Sequence, residues 1–130
     1  MRVKCVTNEC YFRFSTDVNK GNKRKESTQE IVVGKEYTVY GMVMFDFSLY
    51  YLIVSSINRP SFLRADYFQI EDSSLSEDWV FAYKGQEKLS VQAIWGYRLL
   101  VESESHYNGL IERERSELDY FFDNVCDNRF

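Results

Sequence analysis

From Val33 to Gly85 the chain runs in short apolar bursts separated by brief polar turns: GKEYTVYGMVMF, LYYLIVS, RPSFLRADYFQIED and DWVFAYKG. Short runs rich in Tyr, Phe, Val and Ile and bounded by turn residues are strand signals. Tyr37–Phe45 and Leu49–Ser55 predict a hairpin closed by Asp46-Phe47-Ser48. Both faces of this hairpin are apolar. In its first strand Val39, Val43 and Phe45 lie opposite Tyr40, Met42 and Met44; in its second, Tyr50, Leu52 and Val54 lie opposite Leu49, Tyr51 and Ile53. Such a ribbon is either covered on both faces or leaves one of them as a binding surface. Pro60 fixes the next turn and cannot donate to a ladder. Ser61–Leu63 then predicts a short strand, Ala65–Phe68 a single helical turn, Gln69–Glu71 a return to the sheet and Trp79–Tyr83 a further strand.

Outside this core the pattern changes. Residues 2–6 alternate as a first strand, extending toward Tyr11–Phe14. Residues 16–29 carry no apolar repeat and predict a flexible basic loop. Lys88–Ile94 fits strand or loop. From His106 the period becomes helical, through Tyr107, Leu110 and Ile111, then Leu118, Phe121, Phe122 and Val125. Asn108-Gly109 divides this into two short helices, and Ser116 with Asp119 has the spacing of a capping box. The expected organisation is one domain over 1–130, with a β core at 31–85 and a helical appendage at 104–126.

Composition narrows the class. The 130 residues are 45% hydrophobic and 17% aromatic, ample for one core, and contain no apolar run long enough to span a membrane. The N-terminus MRVKCVTNEC lacks the apolar segment of a secretory signal, so the chain reads as cytoplasmic. Cys5, Cys10 and Cys126 are an odd set with no second Cys or His pair, which reads as reduced, structural thiols. Net charge is −4, unevenly spread: residues 1–36 carry eight bases against five acids, residues 37–130 eight against fifteen. Glu71, Asp72, Glu77 and Asp78 form one acidic group, and the tail from Glu102 to Asp127 holds another. Such a surface repels nucleic acid and steers basic partners.

The chemistry of catalysis is sparse. His106, the one histidine, lies among acids in ESESHYNG with no nucleophile tied to it by a motif, and reads as a surface or helix-start residue. The acids match no calcium loop, and there is no phosphate-cradling glycine motif. No cofactor or metal is expected, and the enzyme class is the weakest. Tyr37, Tyr40, Tyr50, Tyr51, Phe62, Tyr67 and Trp79 have the composition of an aromatic groove or cage, although most rings in so aromatic a chain must be core.

The runs VGKEYTVYGMVMF, LYYLIV, RPSFLRADYFQIED and LSEDWVF, with the tail YRLLVESESHYNGLIERE, resemble SH3-like barrel immunity-type proteins of bacterial polymorphic and contact-dependent growth-inhibition toxin systems. The resemblance implies an SH3-like β-barrel of five to six antiparallel strands with a C-terminal helical segment. It also implies a non-enzymatic cytoplasmic protein that neutralises a cognate toxin, here a nuclease. On that reading Glu71, Asp72, Glu77 and Asp78, with Glu112, Glu114 and Asp119, meet a basic cleft, and Phe47, Tyr50 or Tyr51 are the buried anchors. The alternative is an SH3/Tudor-like peptide- or ligand-binding module in a bacterial regulatory complex. The hairpin, apolar on both faces, is also a candidate homodimer seam.

Overall fold

The computed structural model describes residues 1–12 and 24–126. The strands are β1 (Arg2–Cys5), β2 (Glu9–Phe12), β3 (Arg24–Ser27), β4 (Glu36–Thr38), β5 (Gly41–Phe45), β6 (Ser48–Val54), β7 (Pro60–Arg64), β8 (Phe68–Asp72), β9 (Val80–Tyr83) and β10 (Val91–Gly96). A 3₁₀ turn at Ala65–Tyr67 joins β7 to β8. The chain ends in helices α1 (Arg98–Glu102), α2 (Glu104–Glu112) and α3 (Arg115–Tyr120), the last running into a π turn at Phe121–Val125. All strand pairs are antiparallel, in three sheets: β4-β1-β8, β7-β6-β5-β10-β9 and β2-β3.

The hairpin β5–β6 is covered on both faces, which is what its two apolar faces require. Tyr51 and Ile53 of β6 pack with Val3, Cys5, Tyr37 and Tyr67, the inner side of the three-stranded layer. Leu52, with Val43 and Ile94, packs against Leu100, Val101, Leu110 and Phe121 of the helical layer. The five-stranded sheet is thus the middle of three layers.

The fold is mainly β, antiparallel, with C-terminal helices, but the described strands do not close one barrel of five to six strands. The long strand expected at Tyr37–Phe45 breaks at Val39-Tyr40. Its first part, β4, pairs with β1; its second, β5, pairs with β6. β10 then takes the other edge of β5 and carries the sheet on to β9 instead of closing it.

Other expectations shift for local reasons. The hairpin turn is two residues, Asp46-Phe47, because Ser48 pairs with Phe45. Part of the predicted loop 16–29 is strand: Arg24–Ser27 pairs with Glu9–Phe12 in a two-stranded ribbon held by backbone bonds. Lys20 and Lys23 of its basic cluster lie outside the described residues. Asn108-Gly109 lies inside α2; the break falls at Arg113, in the left-handed conformation at φ 59°. Gly109 is there for proximity, since a Cβ on it would collide with the Glu117 side chain of α3. Ser116 does not cap α3, whose N-cap is Glu114 without a side-chain bond. The capping serine is Ser103, whose Oγ accepts the His106 N–H at the start of α2, 3.1 Å away.

A pair of glycines seats the helices. Gly41 and Gly96 face each other across β5–β10, and a Cβ on either would strike the Leu100 side chain of α1. Gly96 also has φ +154°, which L side chains rarely adopt.

Candidate protein-interaction surface

The tip of the β5–β6 hairpin is built against local preference. Asp46 and Phe47 both have positive φ, 48° and 63°, the backbone of a type I′ turn whose twist suits a hairpin. That conformation favours Asn or Gly and costs a phenylalanine about 1–2 kcal/mol. The turn is held from outside. The Asp46 carboxylate accepts the Leu89 N–H at 3.0 Å, the Asp46 N–H donates to Ser90 O at 3.3 Å, and the Phe47 N–H donates to Gln92 Oε1 at 2.8 Å. Gln92 is itself fixed, donating to Glu87 O at 3.1 Å. Asp46 and Gln92 are buried, while the Phe47 ring is 54% exposed beside exposed Leu89. A rigid turn therefore holds an aromatic ring in solvent.

Behind the tip, a cleft of about 360 Å³ lies between the β5–β7 part of the sheet and α2. Phe45, Tyr50, Phe62, Tyr107 and Ile111 line it, with Glu30 and Arg113 also at its walls. Phe62 and Tyr107 rings pack 5.3 Å apart. Tyr50 is oriented by Arg64, whose Nη1 donates to its hydroxyl at 3.3 Å and whose guanidinium lies 5.6 Å from its ring centre. Arg64 also reaches Ser48 Oγ and Asp66. Burial raises the Tyr50 phenol above its ordinary value and pushes Tyr107 up to about 12, so both phenols stay protonated. Tyr51 does not share this surface. It is 4% exposed on the opposite face of β6, among the core residues under the three-stranded sheet.

The acids called as one site fall into two places. Glu71 and Asp72 belong to β8 and its end, in the three-stranded layer, followed by exposed Glu77 and Asp78. Glu112, Glu114 and Asp119 belong to the helical layer, on the other side of the central sheet. Glu112 and Glu114 adjoin Arg113, which lines the aromatic cleft, but are not among its lining residues, and the Glu114 carboxylate lies beside Gly109 of α2. Asp78 instead shares a second cleft with Tyr97, Tyr120 and Asn124. Asp72 is held below the usual carboxylate range, chiefly by hydrogen bonds from Ser74, and Asp119 stands 4.0 Å from Arg115. Glu71 and Asp72 on the three-stranded sheet and Glu112 on α2 thus belong to different layers, while Asp78 lies at a cleft that the helical segment also lines.

His106 is not at the surface. It is 1% exposed, and it joins three helical segments. Its Nδ1 lies 2.9 Å from Glu117 Oε1 of α3, and its Nε2 lies 2.6 Å from the Tyr97 hydroxyl just before α1. The carboxylate accepts, so Nδ1 carries the proton and Nε2 accepts the Tyr97 O–H. The hydrogen bond from His106, followed by that from Ser116, holds the Glu117 carboxyl below its ordinary range. Burial, first, raises the Tyr97 phenol well above its usual value. A carboxylate–imidazole–hydroxyl chain has the connectivity of a nucleophile relay. Here the imidazole is enclosed, and the chain ties Tyr97, just before α1, to α2 and α3 as a latch between helices. Neither Glu117 nor Tyr97 was legible as its partner, because the chain pairs residues nine and eleven positions away across two helix breaks.

Cys5, Cys10 and Cys126 are free and buried, and burial raises the Cys5 and Cys10 thiols. Among the described residues no three His, Cys, Asp or Glu side chains are grouped to hold a metal, and no helix is long and apolar enough to cross a membrane. Searches against family models, curated proteins and solved structures returned no match.

Proposed function

We propose that this chain is a non-enzymatic, cytoplasmic immunity protein that binds and neutralises a cognate bacterial toxin, a nuclease with a basic surface. The observation that carries the proposal is Phe47: an aromatic ring kept in solvent on a strained, externally clamped turn. Strain of this kind persists where surrounding structure imposes it, and it concentrates at contact sites. Phe47 is the primary anchor and Tyr50 the second, with Glu112 and Glu114 steering the basic partner toward them. The SH3-like part of the reading draws support from the run Tyr37–Phe45, which passes from one sheet to another at Val39-Tyr40, and from the 3₁₀ turn that leads into β8 beside β1.

The test is co-expression with the toxin domain encoded beside this chain. Wild type restores growth, and Phe47→Ala combined with Glu112→Lys and Glu114→Lys does not. Full protection by that triple variant would sink the proposal. A second reading, a peptide- or ligand-binding module, is favoured by the aromatic cleft with Glu30 and Arg113 at its walls. Recovery of a Pro-rich peptide in a pull-down, abolished by Tyr107→Ala and indifferent to Phe47→Ala, supports that reading instead.

A further inference from the structure

We infer that the cleft between the β5–β7 part of the sheet and α2 binds a small zwitterion with an aromatic body, a free aromatic amino acid, with Glu30 facing its ammonium and Arg113 its carboxylate.

The walls are preformed. Buried Arg64 donates to the Tyr50 hydroxyl at 3.3 Å, and the Tyr50 ring meets Phe45 edge-on at 6.3 Å. Phe62 of β7 and Tyr107 of α2 meet at 5.3 Å and join sheet to helix. Rings already fixed against neighbours lose little freedom when a ligand arrives. They also offer faces and edges to a further ring, which aromatic side chains prefer to engage offset or edge-on. The volume, about 360 Å³, is that of a small-ligand site rather than of a groove for a length of chain.

Two charges of opposite sign stand at these walls, and each is placed by the fold. Glu30 is half-buried. Its backbone carbonyl accepts the Ser56 N–H at 2.7 Å, and its Oε1 accepts the hydroxyl of Ser61 at 2.8 Å. Ser61 is itself buried and lines the cleft, so the carboxylate is anchored there with its second oxygen left over. Arg113 ends α2 with φ 59°, a left-handed position ordinarily given to Gly or Asn. Its backbone N–H is tied to Leu110 O at 3.3 Å, while its side chain is exposed at the cleft.

Charge complementarity selects the occupant. Among the described residues neither Glu30 nor Arg113 makes an ion pair, with the other or with any third side chain. An apolar, ring-lined cleft with one uncompensated anion and one uncompensated cation is matched by a molecule that carries both opposite charges on an apolar body. A simple cation or a simple carboxylate satisfies only one of the two.

The assignment narrows the ligand-binding reading of this cleft and does not depend on Phe47 or on a toxin. Isothermal titration at low salt tests it with three probes: phenylalanine, phenethylamine, which lacks the carboxylate, and 3-phenylpropionate, which lacks the ammonium. Phenylalanine is expected to bind, and each truncated probe to bind about five-fold or more weakly. Glu30→Gln, which can still accept the Ser61 hydroxyl, is expected to weaken phenylalanine and phenethylamine and to leave 3-phenylpropionate unchanged. Arg113→Gln is expected to weaken phenylalanine and 3-phenylpropionate and to leave phenethylamine unchanged. No binding of phenylalanine, equal binding of uncharged N-acetylphenylalaninamide, or substitutions that act on all three probes alike would each overturn the assignment. A Pro-rich peptide that binds where phenylalanine does not would also overturn it, while keeping the wider ligand-binding reading.

Discussion

At the scale of single residues, two side chains set the balance between stability and contact. Replacing Phe47 by Gly removes both the ring and the penalty of a left-handed phenylalanine. Phe47→Gly is expected to raise unfolding free energy by about 1 kcal/mol while weakening partner binding, a pairing of signs seen when a residue is kept for function. Denaturant titration and a binding isotherm on the same variant check it; lower stability would show that the ring supports the fold. His106→Ala strands the buried Tyr97 hydroxyl and empties a packed site, and is expected to cost about 3 kcal/mol. Protection against the toxin should survive it at low temperature, whereas loss of protection with an intact fold would favour catalysis. The same latch gives a pH dependence. Glu117 has a folded value below its unfolded one, so its contribution is complete above the ordinary glutamate range and is lost as pH falls through the folded value. The difference in thermal midpoint between wild type and Glu117→Gln should therefore shrink from neutral pH toward about pH 3. A difference constant with pH would contradict the ion-assisted bond.

At the scale of elements, the strands are legible because short runs rich in Tyr, Phe, Val and Ile end at turn residues, even where both faces are apolar. What alternation cannot give is which face meets which layer. Tyr50 and Tyr51 are adjacent and chemically identical, yet one lines an open cleft and the other is core. Arg24–Ser27 is illegible for a different reason: RKES contains no apolar residue, and its strand rests on backbone pairing with β2 and on Glu26, whose carboxylate accepts the Tyr67 O–H at 2.9 Å. The helical breaks were misplaced because Gly109 was read as a helix breaker, when its missing Cβ is what lets Glu117 approach. Likewise the acidic context of His106 suggested solvent, but the face of α2 that it occupies is enclosed by Tyr97, Tyr120 and Glu117. Seating of α1 on the sheet depends on the Gly41–Gly96 notch. Gly96→Ala combines a strained φ with a clash on Leu100 and is expected to destabilise by about 2–4 kcal/mol. A compensating Leu100→Ala should recover only part of that, because the backbone strain remains; full recovery in thermal melts would show the clash to be the whole effect.

At the scale of the molecule, the two acidic groups that are separate in the sequence are carried largely by different layers. Because Glu71 lies on the three-stranded sheet, with Glu77 in the connection after it, and Glu112 and Glu114 lie at the end of α2 and the start of α3, the two groups are not expected to serve one partner equally. Reversing Glu112 and Glu114 should slow association several-fold and flatten its salt dependence, while reversing Glu71 and Glu77 should leave both nearly unchanged. Stopped-flow association at two ionic strengths separates the cases, and equal effects would place the partner across both layers. The hairpin tip has a consequence of another kind. Its clamp grips backbone and the Asp46 carboxylate, and the Phe47 ring takes no part in it. On the proposed reading, exchange of that one side chain alters the surface offered to a partner while the clamp beneath it stays in place, so the turn separates what is presented from what does the presenting.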